Sequence, residues 1–323
     1  TTTHFAEKQD SFFPVLGYSD DFGTLYGGFF YKNLNTGGKF TLSATNSDRG
    51  YKVKTEFDRV PLSENKLELD GIITLQDWSD FYYGNGNNTK GSAETKIFHR
   101  YLTIKTTLRY QLSKFNSVGL FTSFKTREEH LDKQENQRFF SDFSMVQFGF
   151  IQQFDTRDYT TNATKGMYFS TTISTYPKQL NTSKQAKSIL KWTVDFRYFK
   201  PLYNGTFAFK AFIGHNSGKN QNYFQLFKLG GSSLLRGTHI NRYNGPSLTA
   251  LQCEYRFPIY KIVSGSIFID AGQVSQDPSF SDLHLSKGIG VHVKVGSGSG
   301  ALRFNKGYSE DYDKFHVSYN HAF

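Results

Sequence analysis

The sequence lacks the features that mark disulfide-stabilised domains, helical membrane proteins and common enzymes. Its 323 residues include a single cysteine, Cys253, so no internal disulfide can form. No stretch approaches the roughly 18 consecutive apolar residues of a membrane-spanning helix. The chain has no G-x-S-x-G motif, no paired histidines on a predicted helix and no cysteine cluster for zinc. The sequence therefore predicts no catalytic residues, no metal site and no cofactor.

Aromatic and basic residues are abundant instead. Phe occurs 33 times and Tyr 20 times, yet mean hydropathy is negative. The net charge of +10 would suggest a nucleic-acid partner in a soluble protein, but the chain has no dense basic run. We therefore expect no nucleic acid. Simple solvation is the plainest explanation for the charges, and the alternatives are an anion-preferring pore or contacts with lipopolysaccharide phosphates.

Several segments alternate between apolar and polar side chains. In residues 101–112 (YLTIKTTLRYQL), the even positions are mostly apolar and the odd positions mostly polar, and residues 190–199 and 51–58 repeat the pattern. A period of two indicates a β-strand with one apolar and one polar face. The basic residues of the polar faces would line the interior or the rims of a barrel: Lys52, Lys54, Lys105, Arg109, Lys191, Arg197 and Lys210.

About sixteen such segments follow one another, with no convincing helical window between them. They lie near residues 12–19, 22–32, 38–47, 50–59, 64–76, 97–112, 115–127, 141–155, 164–176, 187–199, 204–214, 248–257, 262–273, 286–296, 299–306 and 313–323. Several exceed the usual soluble strand of about 5–6 residues, and a tilted membrane strand needs about 9–11. Aromatic residues also suit the interfacial girdles of a membrane barrel. A soluble sandwich or barrel is the alternative, but the pattern favours an all-β transmembrane barrel.

The end of the chain, FHVSYNHAF, alternates in the same way and finishes on an aromatic residue. It resembles the signal by which the barrel assembly machinery recognises outer-membrane barrels, although His321 departs from the usual aromatic or aliphatic residue. The residues of this signal are Phe315, Val317, Tyr319 and Phe323. We expect a short periplasmic N-terminal tail at residues 1–10 and the barrel at residues 11–323.

Six stretches resemble motifs of one family and occur in the order that the family has. They are FYYGNGNN (81–88), FDTRDYTTNATKG (154–166), KLGGSSLLRGTHINRYNG (228–245), CEYRFPIY (253–260), IFIDAGQV (267–274) and SGALRFNKG (299–307). The family is the BamA/FhaC-type barrel superfamily, also called the bacterial surface antigen family. The resemblance implies a 16-stranded antiparallel transmembrane β-barrel with an extracellular loop folded into the lumen. It also implies the bacterial outer membrane as the location.

The resemblance implies a role for one arginine. In the family, an arginine at the tip of the folded loop is held by acids on the inner wall, and the matching residues are Arg236, Glu254 and Asp270. Alternation alone places both carboxylates on the polar faces of their strands. The arginine fork suits two carboxylates. Glycines would let the loop turn and approach the wall: Gly230, Gly231 and Gly237.

The functional hypotheses belong to different classes. The first is a translocation pore or membrane scaffold for an exported partner. In family members that assemble or secrete proteins the loop tip is tied to passage, and the same motif could equally hold a plug in a passive barrel. The second is a structural protein that forms a homo-oligomer through its barrel wall and perturbs the bilayer. The third is a lipid enzyme on the lipid face, but His292 and His316 fall on the polar faces. Expected partners are outer-membrane lipid, lipopolysaccharide and the barrel assembly machinery.

Three further expectations concern smaller features. Family members that insert or secrete proteins carry POTRA modules before the barrel, whereas only about ten residues precede the first predicted strand here. We therefore expect a member without these modules or a barrel taken from a longer protein, akin to the barrel of patatin-fused members. Asp155, Arg157 and Asp158 suggest a solvated ion pair of a loop rather than a site. Cys253 falls on the apolar face of its segment and should contact lipid.

Overall fold

The computed structural model describes residues 11–20, 23–34, 37–63, 66–89, 94–129, 142–182, 188–218, 221, 223–294, 301–310 and 312–319. The expected N-terminal tail at residues 1–10 lies outside the described residues, as does Phe323 of the expected C-terminal signal. The described residues contain eighteen β-strands and one short 3-10 helix, Lys178–Leu180. In this part of the chain, no helix is long and apolar enough to cross a bilayer.

The strands are β1 (Ser11–Ser19), β2 (Gly23–Asn33), β3 (Lys39–Ser47), β4 (Gly50–Pro61), β5 (Leu67–Tyr82), β6 (Thr95–Gln111), β7 (Asn116–Glu129), β8 (Phe143–Asp155), β9 (Gly166–Tyr176), β10 (Ile189–Leu202), β11 (Gly205–Ser217), β12 (Phe227–Leu229), β13 (Tyr243–Gly245), β14 (Ser247–Tyr260), β15 (Val263–Ser275), β16 (His284–Lys294), β17 (Ala301–Ser309) and β18 (Asp313–Tyr319). Every predicted segment overlaps one of these strands.

All strands but β12 and β13 form one antiparallel sheet, and neighbours along the chain are neighbours in space. Strand β11 pairs directly with β14, because β12 and β13 form a separate hairpin inside the segment that connects them. In an antiparallel sheet, successive connections lie at opposite ends. We call the end with the long connections 83–94, 218–246 and 276–283 the loop end, and the opposite end the turn end. The prediction of an all-β antiparallel fold is confirmed.

The sheet turns apolar side chains outward and charged side chains inward. On β6, Ile104 and Leu108 are 39% and 42% exposed, whereas Arg109 is 8% exposed. On β15, Ile269 is 61% exposed and its neighbour Asp270 is fully buried. A soluble protein buries the apolar face of a half-exposed strand, so this sheet has the opposite polarity. Its apolar outer face is suited to contact with the hydrocarbon core of a bilayer.

The first and last strands, β1 and β18, lie side by side. The backbone N–H of Asp20, just after β1, donates to the carbonyl of Phe315 at 3.2 Å, and the Asp20 carboxylate accepts the N–H of Phe315 at 2.7 Å. The described residues give no strand ladder between β1 and β18. Closure into a complete barrel of sixteen strands therefore stays a prediction.

The C-terminal signal is described in part. Phe315 and Val317 alternate on β18 with His316 and Ser318, which are buried. The side chain of Tyr319 lies outside the described residues. The alternation matches the expected strand, and the role of these residues in targeting stays a prediction.

We expect the folded chain to require detergent or lipid. The outward apolar side chains recur on strand after strand, whereas the largest apolar patch on a typical soluble monomer is about 300–600 Å². Analytical ultracentrifugation should find a monodisperse species in micelles and aggregation when the detergent is removed. A folded, monodisperse species in detergent-free buffer would contradict the outward assignment.

Candidate functional site

Segment 218–246, which we call the inner loop, leaves the loop end after β11 and lies against the inner face of the sheet. Its side chains Phe227, Leu229 and Leu235 form one buried cluster with Leu248 of β14 and Val274 of β15. Each Å² of apolar surface buried in this way contributes about 25 cal/mol. Apolar packing therefore holds the body of the inner loop to the wall.

Arg236, at the tip of the inner loop, is bound by two carboxylates of the wall. Its Nε and Nη2 donate to Asp270 Oδ2 and Oδ1 at 2.8 and 2.7 Å, and its backbone N–H donates to Asp270 Oδ2 at 3.0 Å. Its Nη1 donates to Glu254 Oε2. The guanidinium also lies 3.5 Å from the ring centroid of Phe268. The structure thus brings together the three residues that were matched by resemblance and alternation, and all three side chains are almost completely buried.

Two further arginines contact Glu254. Arg256 Nε donates to Glu254 Oε1 at 2.5 Å, and Arg303 Nη1 approaches the same oxygen at 3.5 Å. We call Arg236, Glu254, Asp270, Arg256 and Arg303 the charge cluster. Arg256 and Arg303 were not predicted as members of this cluster from the sequence. Arg256 lies two residues from Glu254 on the same face, which could have indicated it, whereas Arg303 on β17 comes near only through the shape of the sheet.

Gly237 lets the tip of the inner loop touch the wall. Its φ of 91° lies in the left-handed region, and a Cβ would come within 2.8 Å of the backbone of Gly307 on β17. Its N–H donates to His316 Nε2 at 3.3 Å. The other two predicted glycines, Gly230 and Gly231, also have positive φ, at 121° and 83°. The backbone of the tip can therefore contact the backbone of β17 directly and lie next to the His316 side chain of β18.

The connection 156–165 at the turn end is a turn stabilised by hydrogen bonds among its own residues and Asp155. Arg157 Nε and Nη2 donate to the Asp155 carboxylate at 2.9 and 2.8 Å, and Asp158 Oδ1 accepts three backbone N–H groups of the same turn. The expectation of a solvated ion pair needs correction, because the side chains of Arg157 and Asp155 are only 7% and 19% exposed. These carboxylates shape the turn.

The same turn reaches the charge cluster from the turn end. Asn162 Oδ1 accepts a hydrogen bond from Arg303 at 3.2 Å, and the carbonyl of Ala163 accepts one from Arg256 at 3.3 Å. Ala163 is buried with Phe199 of β10. The two arginines that brace Glu254 are thus themselves held by a connection outside the inner loop.

The inner loop has a second attachment on the far wall, through Phe224. Arg127 of β7 lies 4.2 Å from the Phe224 ring centroid, and the Tyr101 ring of β6 lies edge-on at 5.9 Å. The adjacent Tyr223 packs edge-on against Tyr82 at 4.9 Å. Sequence analysis missed this anchor, since aromatic residues are frequent throughout the chain. The loop therefore contacts the inner face of the sheet at β6 and β7 as well as at β14 and β15.

Hydrogen bonds also join the connections at the loop end. Arg242 of the inner loop donates to Thr89 Oγ1 at 2.6 Å and to the hydroxyl of Tyr312 at 3.2 Å. Asn87 donates to the carbonyl of Asp282 at 2.8 Å and to its carboxylate at 3.0 Å. Hydrogen bonding from Asn87 lowers the pKa of the Asp282 carboxyl. The motif that contains Asn87 therefore helps to cover the loop end.

Nothing in the described part of the chain has the geometry of a metal site, since it holds no group of three or more His, Cys, Asp or Glu side chains placed to bind an ion. Ser266 Oγ lies 3.2 Å from His292 Nε2 on the inner face. However, His292 Nδ1 has no hydrogen-bond partner among the described residues and the side chain is buried. A nucleophilic serine needs a histidine that a third group orients, so the pair does not fit catalysis. The arrangement around Arg236 is suited to holding a loop.

We expect Arg236→Met to destabilise the folded protein by about 3–5 kcal/mol, because it leaves the buried Asp270 carboxylate without its hydrogen-bonding partner. Adding Asp270→Asn should recover part of this loss, because it removes the orphan charge. Denaturant unfolding in micelles, followed by intrinsic fluorescence, measures both.

Arg100→Met is the matched control. Arg100 pairs with Asp77 at 2.9 Å, but its side chain is 52% exposed, so its loss should cost at most about 1 kcal/mol. Equal losses for the variants at positions 236 and 100 would contradict the special position of Arg236.

We expect Gly237→Ala to loosen the tip of the inner loop, because the new Cβ would meet the backbone of Gly307. Gly37→Ala is the control, since Gly37 has the same φ of 91° but lies in the connection between β2 and β3, where its new Cβ would meet only the ring of Pro61. Limited proteolysis should cut the inner loop faster in the first variant. Equal rates would show that backbone strain alone, and not the contact with β17, is responsible.

Solved structures with a similar fold include BamA from Haemophilus ducreyi lacking POTRA domains 1–3 (TM-score 0.67, 14% identity, 97% of this chain and 69% of that chain covered). They also include CdiB from Acinetobacter baumannii (0.63, 12%, 96% and 60%) and CdiB from Escherichia coli (0.67, 12%, 96% and 61%). The chain thus spans between 60% and 69% of the length of these structures. At such identities, the likeness concerns the fold.

Curated protein sequences give no match to this chain. The family model described as the Omp85 superfamily domain matches residues 32–323, which is well over half of the sequence. The chain therefore belongs to the Omp85 superfamily, and the resemblance found in its motifs is confirmed.

Proposed function

We propose that the chain forms a closed, sixteen-stranded barrel in the bacterial outer membrane and that its inner loop controls the passage of an exported polypeptide. The observation that carries this proposal is Arg236, held between Asp270 and Glu254 inside a sheet with an apolar outer face. Membership of the Omp85 superfamily and the similarity in fold to BamA and CdiB support it.

The outer face supports the position in a bilayer. Cys253 is partly exposed between buried Gln252 and Glu254, so it adds a small apolar group to the outside of β14. Strand β6 has 17 residues and β14 has 14, more than the ~9–11 that span the hydrocarbon. In such a barrel, the loop end faces the cell exterior and the turn end the periplasm.

Lipopolysaccharide is the lipid partner that this orientation favours. Three cations lie exposed on strands near the loop end: Lys96, Arg100 and Lys287. Basic side chains at this height would meet the phosphates of the outer leaflet, and each contributes about 1 kcal/mol near an anionic surface. Insertion by the barrel assembly machinery, through the C-terminal signal, belongs to the same proposal.

The charge cluster would keep the inner loop closed at rest. Withdrawing Arg236 from the wall leaves Asp270 buried without its hydrogen-bonding partner, which costs several kcal/mol. A passing polypeptide must therefore supply compensating contacts or act on the loop through its other attachments. The loop would open when engaged and return when released.

A second candidate function is a structural outer-membrane protein that self-associates through its wall and perturbs the bilayer. This function is favoured because two connections occupy the space inside the sheet. The inner loop comes from the loop end and the turn 156–165 from the turn end, and both contact the charge cluster. A barrel filled in this way could act entirely through its outer surface. Conductance distinguishes the two functions.

In planar bilayers, we expect the wild-type protein to be closed for most of the time and Arg236→Ala to raise the open fraction by about tenfold or more, because the cost of releasing the loop falls. Arg100→Ala, on the exposed ion pair, should leave the open fraction unchanged. If both Arg236→Ala and the wild type stay closed, the pore is excluded and the structural role remains.

A further inference from the structure

Three lysines inside the sheet have no carboxylate partner among the residues that the structure describes. Lys125 lies on β7, Lys191 on β10 and Lys228 on β12 of the inner loop. The preceding residues Phe124 and Leu190 are 37% and 49% exposed on the outer face, so Lys125 and Lys191 face inward. None of the three ammonium groups forms an ion pair or hydrogen bond with another described residue. We call them the lysine cluster.

The acids of the surrounding wall are already engaged. They pair with arginines, as Arg109 with Asp70, Arg127 with Glu129 and Arg197 with Asp195. The acid whose charge reaches both Lys125 and Lys228 is Asp80, and it lies 3.3 Å from His99. Lys125 and Lys228 therefore share one carboxylate, and that carboxylate has another partner. Among the described side chains here, positive charge exceeds negative charge.

Aromatic rings bring the three ammonium groups together. Lys125 Nζ lies 4.2 Å from the ring centroid of Tyr101, and Lys228 Nζ lies 4.2 Å from that of Tyr223. Both rings are neighbours of Phe224, at 5.9 and 4.9 Å. The rings thus connect Lys125 and Lys228 through the anchor of the inner loop.

Lys191 completes the cluster from β10. Its Nζ lies 4.2 Å from the ring centroid of Phe227, the residue just before Lys228. All three lysines are half-buried, so part of each side chain stays accessible inside the sheet. Cation–π contacts offset part of the cost of gathering like charges, but they supply no counter-charge. An anion from solution would supply it.

We propose that Lys125, Lys191 and Lys228 form an anion site inside the sheet, and that its ligand is a soluble molecule bearing phosphoryl groups. Each ammonium offers three donors on a flexible stem, and lysine binds phosphate as a point charge. Three such groups suit a multivalent oxyanion better than a single carboxylate. The site lies inside the sheet, away from acyl chains on the outer face.

The ligand would join the inner loop to the wall. Lys228 belongs to the loop, whereas Lys125 and Lys191 belong to strands of the large sheet. A bound oxyanion therefore reinforces the far attachment of the loop, across the interior from Arg236. This inference requires only that the loop lies inside the sheet, and it does not depend on the passage of a polypeptide.

Inorganic pyrophosphate is the probe, added to the full chain in micelles at constant ionic strength. Isothermal titration calorimetry should show saturable binding to the wild type. Each of Lys125→Gln, Lys191→Gln and Lys228→Gln should weaken it by about tenfold, the loss expected for one charge-assisted hydrogen bond. Lys200→Gln removes the same charge from an exposed position of β10 and should leave the affinity unchanged.

A measurement on the wild type keeps the test valid if a variant does not fold. Pyrophosphate should slow proteolysis of the inner loop, and potassium chloride at the same ionic strength should not. Absence of saturable binding, or equal weakening by Lys200→Gln, would overturn the site. Closed channels in both the wild type and Arg236→Ala, together with intact pyrophosphate binding, would contradict the proposed function and leave the anion site unaffected.

Two competitors identify the source of the ligand. Phosphatidic acid in the micelles should not displace pyrophosphate, and displacement would assign the site to a lipid headgroup and overturn the soluble ligand. A glutamate-rich peptide should bind more weakly than pyrophosphate. If it binds more tightly with the same dependence on the three lysines, the ligand is an acidic polypeptide segment and the phosphoryl proposal is wrong.

Discussion

The structure depends on one constraint: charged groups enclosed by the sheet must find partners there. Arg236 makes three hydrogen bonds to Asp270 and one to Glu254, and Glu254 in turn contacts Arg256 and Arg303. Because an unpaired buried charge is costly, each member of the charge cluster restricts the positions of the others. The tip of the inner loop is therefore located by electrostatics, while apolar packing holds its body.

The opposite polarity of the two faces makes this constraint compatible with an apolar exterior. Strand alternation sends every second side chain inward, so a chain of negative mean hydropathy can still present Ile269 and its outward neighbours to hydrocarbon. Hydropathy averaged along a strand mixes the two faces and hides the pattern. The enclosed polar face then supplies the attachments of the inner loop, with Arg236 at one wall, Phe224 at another and Arg242 at the loop end.

Periodicity predicted the strands well, because the alternation of residues 101–112 is a local property of β6 that the register of the sheet preserves. It also placed Glu254 and Asp270 inward, and the family resemblance supplied Arg236 as their partner. The contacts of Arg303 with Glu254 and Asn162 were beyond prediction, since they join β17, β14 and the turn 156–165, which are distant in sequence. Such contacts depend on the shape of the sheet and on the conformation of one turn, and neither can be deduced from the periodicity of the sequence.

Arginine and lysine divide the inner face between them. The wall arginines Arg109, Arg127 and Arg197 each bind a carboxylate, because the planar fork matches carboxylate geometry. Lysine is a more strongly hydrated point charge, and Lys125 and Lys191 rest on ring faces instead. The arginines thus pair with these acids. The positive charges of the lysines have no such carboxylate among the described residues. Satisfying the guanidinium groups therefore also determines the sign of the potential that any molecule inside the sheet encounters.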